Sequence, residues 1–173
     1  MDYLTIGSVL GIIIILYYIF KTYNSLVSFR MDVLRQTAHV DVHLKKKFDL
    51  IPALVEVVKG YAKHEKKTFE EVTRFRSQWA EAKTPEDKMK ATNMLEGALS
   101  KLLIIQEQYP QLKANRSFLS LQKSISIIES ELAFERKIYN KRVSWYNLHL
   151  EQFPSILVAR LFGFQQMPFF SFK

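Results

Sequence analysis

The chain has no cysteine, which excludes disulfides, thiolate metal sites and cysteine nucleophiles together. That suits a reducing compartment, although exported bacterial domains share it. Glycine and proline number only five each, so few turns can be written and a glycine-rich phosphate loop has nowhere to form. Nucleophile–base pairs and carboxylate dyads are also missing from the pattern. The sequence therefore offers no catalytic residue and no cofactor, and the expectation is a protein that is not an enzyme. Positive charge is absent from the first segment: before Lys21 there is no Lys or Arg, and Asp2 is the one acid.

What is present begins with Tyr3 to Phe20, YLTIGSVLGIIIILYYIF, an uncharged stretch. As a helix it is roughly 27 Å long, close to the hydrocarbon thickness of a bilayer. Tyr3 stands at one edge; Tyr17, Tyr18 and Tyr23 stand at the other, where aromatic rings favour the head-group region. A cleaved signal peptide needs a basic start and a small-residue cleavage site, and Asp2 and Lys21-Thr22-Tyr23 supply neither. The reading is a single membrane span. Lys21, Arg30, Arg35 and Lys45-Lys46-Lys47 all come after it, so the positive-inside rule predicts the N-terminus outside and the remainder in the cytoplasm of an inner-membrane protein. Gly7 and Gly11 form a G-x-x-x-G that would let two spans approach closely, or are two chance glycines in an anchor.

The 173-residue chain carries a net charge of +8, all of it contributed after the anchor. Lipid head groups are the nearest polyanion to such a surface, and nucleic acid is not expected as a partner. Past Phe20 no stretch alternates with a period of two, and apolar residues recur at helical spacing. Leu26, Val33 and Val40 fall seven apart, as do Leu44, Ile51 and Val58, and Phe48 and Val55 complete the stripe. A first helix is predicted to about Ala62, broken near Asp49 to Pro52, with Asp49 capping the restart. A second, from about Glu65 to Lys83, carries Phe69, Val72, Phe75 or Arg76, and Trp79. Thr84-Pro85-Glu86-Asp87 starts a third, which holds Met89, Leu95, Leu99, Leu102 and Leu103 and stops near Tyr109-Pro110. The fourth runs from about Asn115 to Gln152 on Leu121, Ile125, Ile128, Leu132, Tyr139 and Tyr146. Glu135 and Arg142 fall at core-like positions in it, to pair across the bundle or lie at its edge.

The expected fold is all-α: an anchor over residues 1–22, an up-and-down four-helix bundle over 23–153 with long first and fourth helices, and an aromatic tail over 154–173. A fourth helix antiparallel to the first heads back to the bilayer. Phe162, Phe164, Phe169, Phe170 and Phe172 are therefore expected at the head-group boundary with Tyr17, Tyr18 and Lys21. The alternative is that these aromatics fold back on the base of the bundle or against a neighbouring subunit.

The sequence resembles the LemA family. The resemblance rests on Tyr23-Asn24-Ser25-Leu26-Val27, on Asp41-Val42 with Leu44-Lys45-Lys46, and on DLIPALVEVVKGYAKHEKKTFEEV from Asp49 to Val72. It continues through Glu107-Gln108-Tyr109-Pro110-Gln111-Leu112-Lys113-Ala114-Asn115, Phe118, Leu121-Gln122 and Glu129. Tyr139-Asn140, Tyr146-Asn147, Phe153-Pro154 and Phe162-Gly163-Phe164 close it. It implies an N-terminal anchor and a cytoplasmic helical bundle in a bacterium or archaeon, with no activity or cofactor. Relatives include a protein needed to form magnetosome membranes, and members are often encoded beside membrane quality-control proteases. Thr37 stands where tryptophan is usual, His39 and His43 where glutamines are, and Glu135 where a small residue is common.

His39 and His43 share a helix face, but a zinc site needs more ligands, and H-V-D-V-H lacks the glutamate of H-E-x-x-H; they read as surface histidines. Lys45, Lys46 and Lys47 read as a solvated helix face or as the contact for an acidic partner. On a straight helix they lie roughly 36 Å from the interface, too far for direct lipid contact. The functional expectation is a non-catalytic scaffold that self-assembles as a homo-oligomer on the bilayer, with an adaptor for a membrane protease or envelope-stress system as the second reading.

Overall fold

A computed structural model of the chain describes residues 3–170, without the side chains of residues 4, 5 and 85. Asp2, Phe172 and Lys173 lie outside the described residues. Every regular element among the described residues is helical: α1 (Tyr3–Asp49), α2 (Ile51–Lys59), α3 (Lys66–Glu81), α4 (Pro85–Ile104) continued by a 3-10 turn (Ile105–Glu107), α5 (Pro110–Lys113), α6 (Arg116–Glu151) and α7 (Ser155–Leu161). The chain forms two compact units, one from Met1–His39 with Glu135–Phe169 and the other from Val40–Phe134 with Phe170–Lys173.

In the first unit α1 and α6 bury facing seven-residue stripes. Leu26 and Val33 on one helix and Tyr139, Val143 and Tyr146 on the other are buried, as the spacing requires of helices packed side by side. Polar groups at core-like positions are satisfied across the pair. Gln36 Nε2 donates to the Glu135 carbonyl at 3.1 Å and to its carboxylate at 2.5 Å, and Arg142 Nη1 donates to the Asp32 carbonyl at 3.0 Å. Glu135 and Arg142 thus pair across the helices.

In the second unit Leu44 and Phe48 of α1 and Ile51, Leu54, Val55 and Val58 of α2 are buried with Phe69 and Val72 of α3. Leu95, Leu99 and Leu102 of α4 and Phe118, Ile125 and Leu132 of α6 complete that core. The break between α1 and α2 falls at Leu50, within the predicted Asp49 to Pro52 interval. Pro52 occupies the first turn of α2, where its missing N–H costs no helical bond. Asp49 does not cap α2: Leu50 holds the cap position without a side-chain bond, and the Asp49 carboxylate lies 3.5 Å from Arg76. Local capping lost to a cross-helix cation. Thr84 does cap α4, its hydroxyl accepting from the Asp87 N–H at 3.1 Å. Asn115 caps α6 by accepting from the Phe118 N–H at 2.9 Å.

Helix α6 ends just before Pro154, as predicted, and a further short helix follows within the aromatic tail. Ser155–Leu161 forms α7, with Val158 and Ala159 buried. Its end is a Schellman turn: the Phe164 N–H donates to the Ala159 carbonyl at 3.0 Å and the Gly163 N–H to Arg160 at 3.3 Å. Gly163 adopts φ +70°, a left-handed conformation that a side chain disfavours.

Candidate functional site

The N-terminal part of α1 is the feature most unlike a water-soluble domain. It is long and apolar enough to cross a membrane, and its most apolar window buries nothing within the protein. Ile12, Ile13, Ile14, Ile15, Leu16 and Phe20 are all more than half exposed. Further along the same helix the exposure becomes periodic and the core stripe starts at Leu26. Gly7 is exposed and Gly11 half-buried, and a Cβ added at either would meet nothing, so both leave open surface on the helix.

At the foot of this segment lies an aromatic cluster. The Tyr23 ring sits 4.8 Å from Phe162 and 5.6 Å from Phe164, in tilted and edge-on contacts. Tyr17, Tyr18 and Lys21 beside it are exposed. Beyond Gly163 the backbone turns back along α6 and is strapped to it. The Tyr146 hydroxyl donates to the Gln165 carbonyl at 3.0 Å and the Tyr139 hydroxyl to the Pro168 carbonyl at 2.9 Å. Asn147 binds both backbone groups of Met167, and Gln166 Nε2 donates to Glu151 at 2.5 Å. Burial pushes the Tyr146 hydroxyl above its ordinary pKa, against the opposing pull of the Arg30 charge. Of the tail aromatics expected at a head-group boundary, Phe162 and Phe169 are about half exposed, Phe164 is turned onto Tyr23, and Phe170 is half-buried.

The lysine run divides. Lys45 and Lys46 are exposed, whereas Lys47 is only 2% exposed. Its ammonium pairs with Glu96 and, at 3.0 Å, with Glu129. The reading of three lysines on one solvated face is therefore corrected: Lys47 continues the buried series Leu26, Val33, Val40, and carboxylates from α4 and α6 neutralise it. Lys88 reaches Asp41 at 2.9 Å in the same unit. His39 is exposed, and His43 lies 3.2 Å from a Glu131 carboxylate oxygen. Among the described residues no group of three or more His, Asp or Glu side chains is placed to hold a metal ion. Sequence reasoning missed Phe153, Leu157 and Leu161, which stand exposed around α7; their four-residue spacing was the available signal.

These features define an all-helical protein with an apolar, outward-facing N-terminal helix. Residues 36–173 match the LemA family model. The chain belongs to the LemA family. It is similar to magnetosome proteins MamQ 1 and MamQ 2 of Paramagnetospirillum magneticum, at 22% identity over 98% of this chain and 72% of each relative. It is also similar to magnetosome protein MamQ of Magnetospirillum gryphiswaldense, at 22% identity over 96% of the chain and 71% of that relative.

Proposed function

We propose that this chain is a non-catalytic, single-pass scaffold of the inner membrane. Tyr3 to Phe20 spans the bilayer with the N-terminus outside. The rest folds in the cytoplasm as an up-and-down bundle of four long segments: α1 with α2, α3, α4 and α6. Copies associate through Gly7 and Gly11, and exposed Lys45 and Lys46 meet an acidic partner. The observation that carries this reading is the change of surroundings along α1. Ile12 to Tyr18 and Phe20 are exposed all round the helix, whereas from Leu26 the same helix buries one stripe, Leu26, Val33, Val40 and Leu44, and leaves most of its remaining surface open. A helix apolar all round is suited to lipid, and one apolar on a stripe to a bundle. The relatives named magnetosome proteins support an organising role at a membrane.

Two measurements test it. In intact cells an impermeant thiol reagent should label Asp2→Cys and spare Ser130→Cys; the reverse pattern rejects the topology. The detergent-solubilised chain should sediment as a homo-oligomer free of other chains. A small particle that co-purifies stoichiometrically with a protease would replace the scaffold with the adaptor.

A further inference from the structure

Helix α7 buries one face and leaves the other bare. Val158 and Ala159 are at most 3% exposed, while Leu157 is 60%, Leu161 71% and the preceding Phe153 80% exposed. Positions 157 and 161 are four apart, so the two leucines share a face of α7, and exposed Phe153 lies just before the helix. Seven residues are too few for a helix to stand by its own hydrogen bonds. Val158, Ala159 and the Schellman turn hold it in place, so its bare face contributes nothing to the stability of the unit.

The location of that face is fixed by ring contacts. Phe162, next after Leu161 and 51% exposed, packs against Tyr23 in a tilted ring contact. Tyr23 lies three residues past Phe20, a rise of about 4.5 Å along the helix. The end of α7 is therefore level with the aromatic edge of the apolar segment, where Tyr17, Tyr18 and Lys21 are exposed. The charge agrees with this position. After Glu151 the chain carries no acid, and Arg160, exposed in the last turn of α7, is the one charge on the helix. An apolar face flanked by a cation suits the boundary between acyl chains and anionic head groups.

We propose that α7 is an interfacial foot: Phe153, Leu157, Leu161 and Phe162 enter the head-group boundary of the bilayer that holds Tyr3 to Phe20, giving the domain a second lipid contact. The strap beyond Gly163 stays on α6 and out of the lipid. This rests on the reading of α1 as a span, and the test separates the two.

The chain has no native cysteine, so single nitroxide labels can be placed on the full-length protein at Ile13→Cys, Ser130→Cys, Leu157→Cys and Leu161→Cys. In phosphatidylcholine–phosphatidylglycerol vesicles, collision rates with oxygen, which concentrates in lipid, are compared with those of a water-soluble nickel chelate. At 157 and 161 the oxygen-to-nickel ratio should exceed that at 130 several-fold and approach that at 13. Nickel dominance at 157 and 161 with lipid values at 13 places the face in water and overturns the foot alone. Low collision rates with both reagents at 157 and 161 mean that protein, such as a second copy, covers the face, and this also overturns it. Nickel dominance at 13 would remove the span and the foot together.

Discussion

Asn147 holds Met167 by both of its backbone groups: the side-chain amide donates to the Met167 carbonyl at 2.9 Å, and its oxygen accepts from the Met167 N–H at 2.9 Å. This reciprocal pair is the central tie of the strap along α6. Asn147→Ala removes both bonds, at about 1 kcal/mol each. Hydrogen exchange at the Met167 amide should speed up by about thirtyfold, with little change at amides in the middle of α6. Unchanged exchange at Met167 would mean that the aromatic contacts alone hold the strap.

Lys47 is predicted to be worth more to its neighbours than to itself. Lys47→Met leaves the Glu96 carboxylate in a site where it is largely enclosed, and breaking one side of a buried pair costs about 3 kcal/mol. The double change Lys47→Met with Glu96→Leu should recover most of that loss, because both charges then leave together. Thermal unfolding of the native chain, the two single variants and the double variant in detergent, tracked by helical circular dichroism, gives the cycle. Equal destabilisation by the single and the double change would show that the charges do not act as a pair.

At Gly163 the backbone is left-handed, and an added Cβ meets nothing within 4 Å. The cost of Gly163→Ala is therefore conformational rather than steric, about 1–2 kcal/mol. Gly163→Asn should cost less, since asparagine tolerates this conformation. Melting temperatures ordered glycine, asparagine, alanine would bear this out; alanine equal to glycine would not.

The strap should also loosen in alkali. The Tyr146 pKa is raised above 10.0 by burial, so the folded chain holds this proton more tightly than the unfolded one. That contribution is complete below the unfolded pKa and disappears as pH rises through the folded value. Melting temperatures should therefore fall more steeply above about pH 10 in the native chain than in Tyr146→Phe, whose ring cannot ionise. Parallel curves would remove Tyr146 from the alkaline response.

Much of the helical pattern was legible because burial tracks spacing. Leu26, Val33, Val40, Leu44, Ile51 and Val58 were identified by seven-residue intervals, and all are buried. Lys47 was misread because a charge run suggests water, yet it sits seven after Val40 and seven before Leu54. Position outweighed residue type once Glu96 and Glu129 were within reach. Asp49 was misread as a cap because nothing in the local sequence shows Arg76 arriving from α3. The strap was legible only as the alternative that the tail folds back on the bundle. Most of its partners are the backbone groups of Gln165, Met167 and Pro168, so only Tyr139, Tyr146, Asn147 and the Gln166–Glu151 pair leave a trace in the sequence. Helix α7 had a readable end in Gly163, but its short apolar run resembled the aromatic tail around it.

Helix α1 runs through the junction after Phe20 without a glycine, a proline or a break. That junction is a shaft, not a tether. Each residue along it turns the helix by about 100°, so the faces of the apolar segment are locked in angle to Leu26, Val33 and Gln36, which α6 grips. A torque applied to the apolar segment must be borne by that grip. One alanine inserted after Thr22 would put the two ends of the shaft about 100° out of step, whereas an insertion of seven would return them nearly to phase.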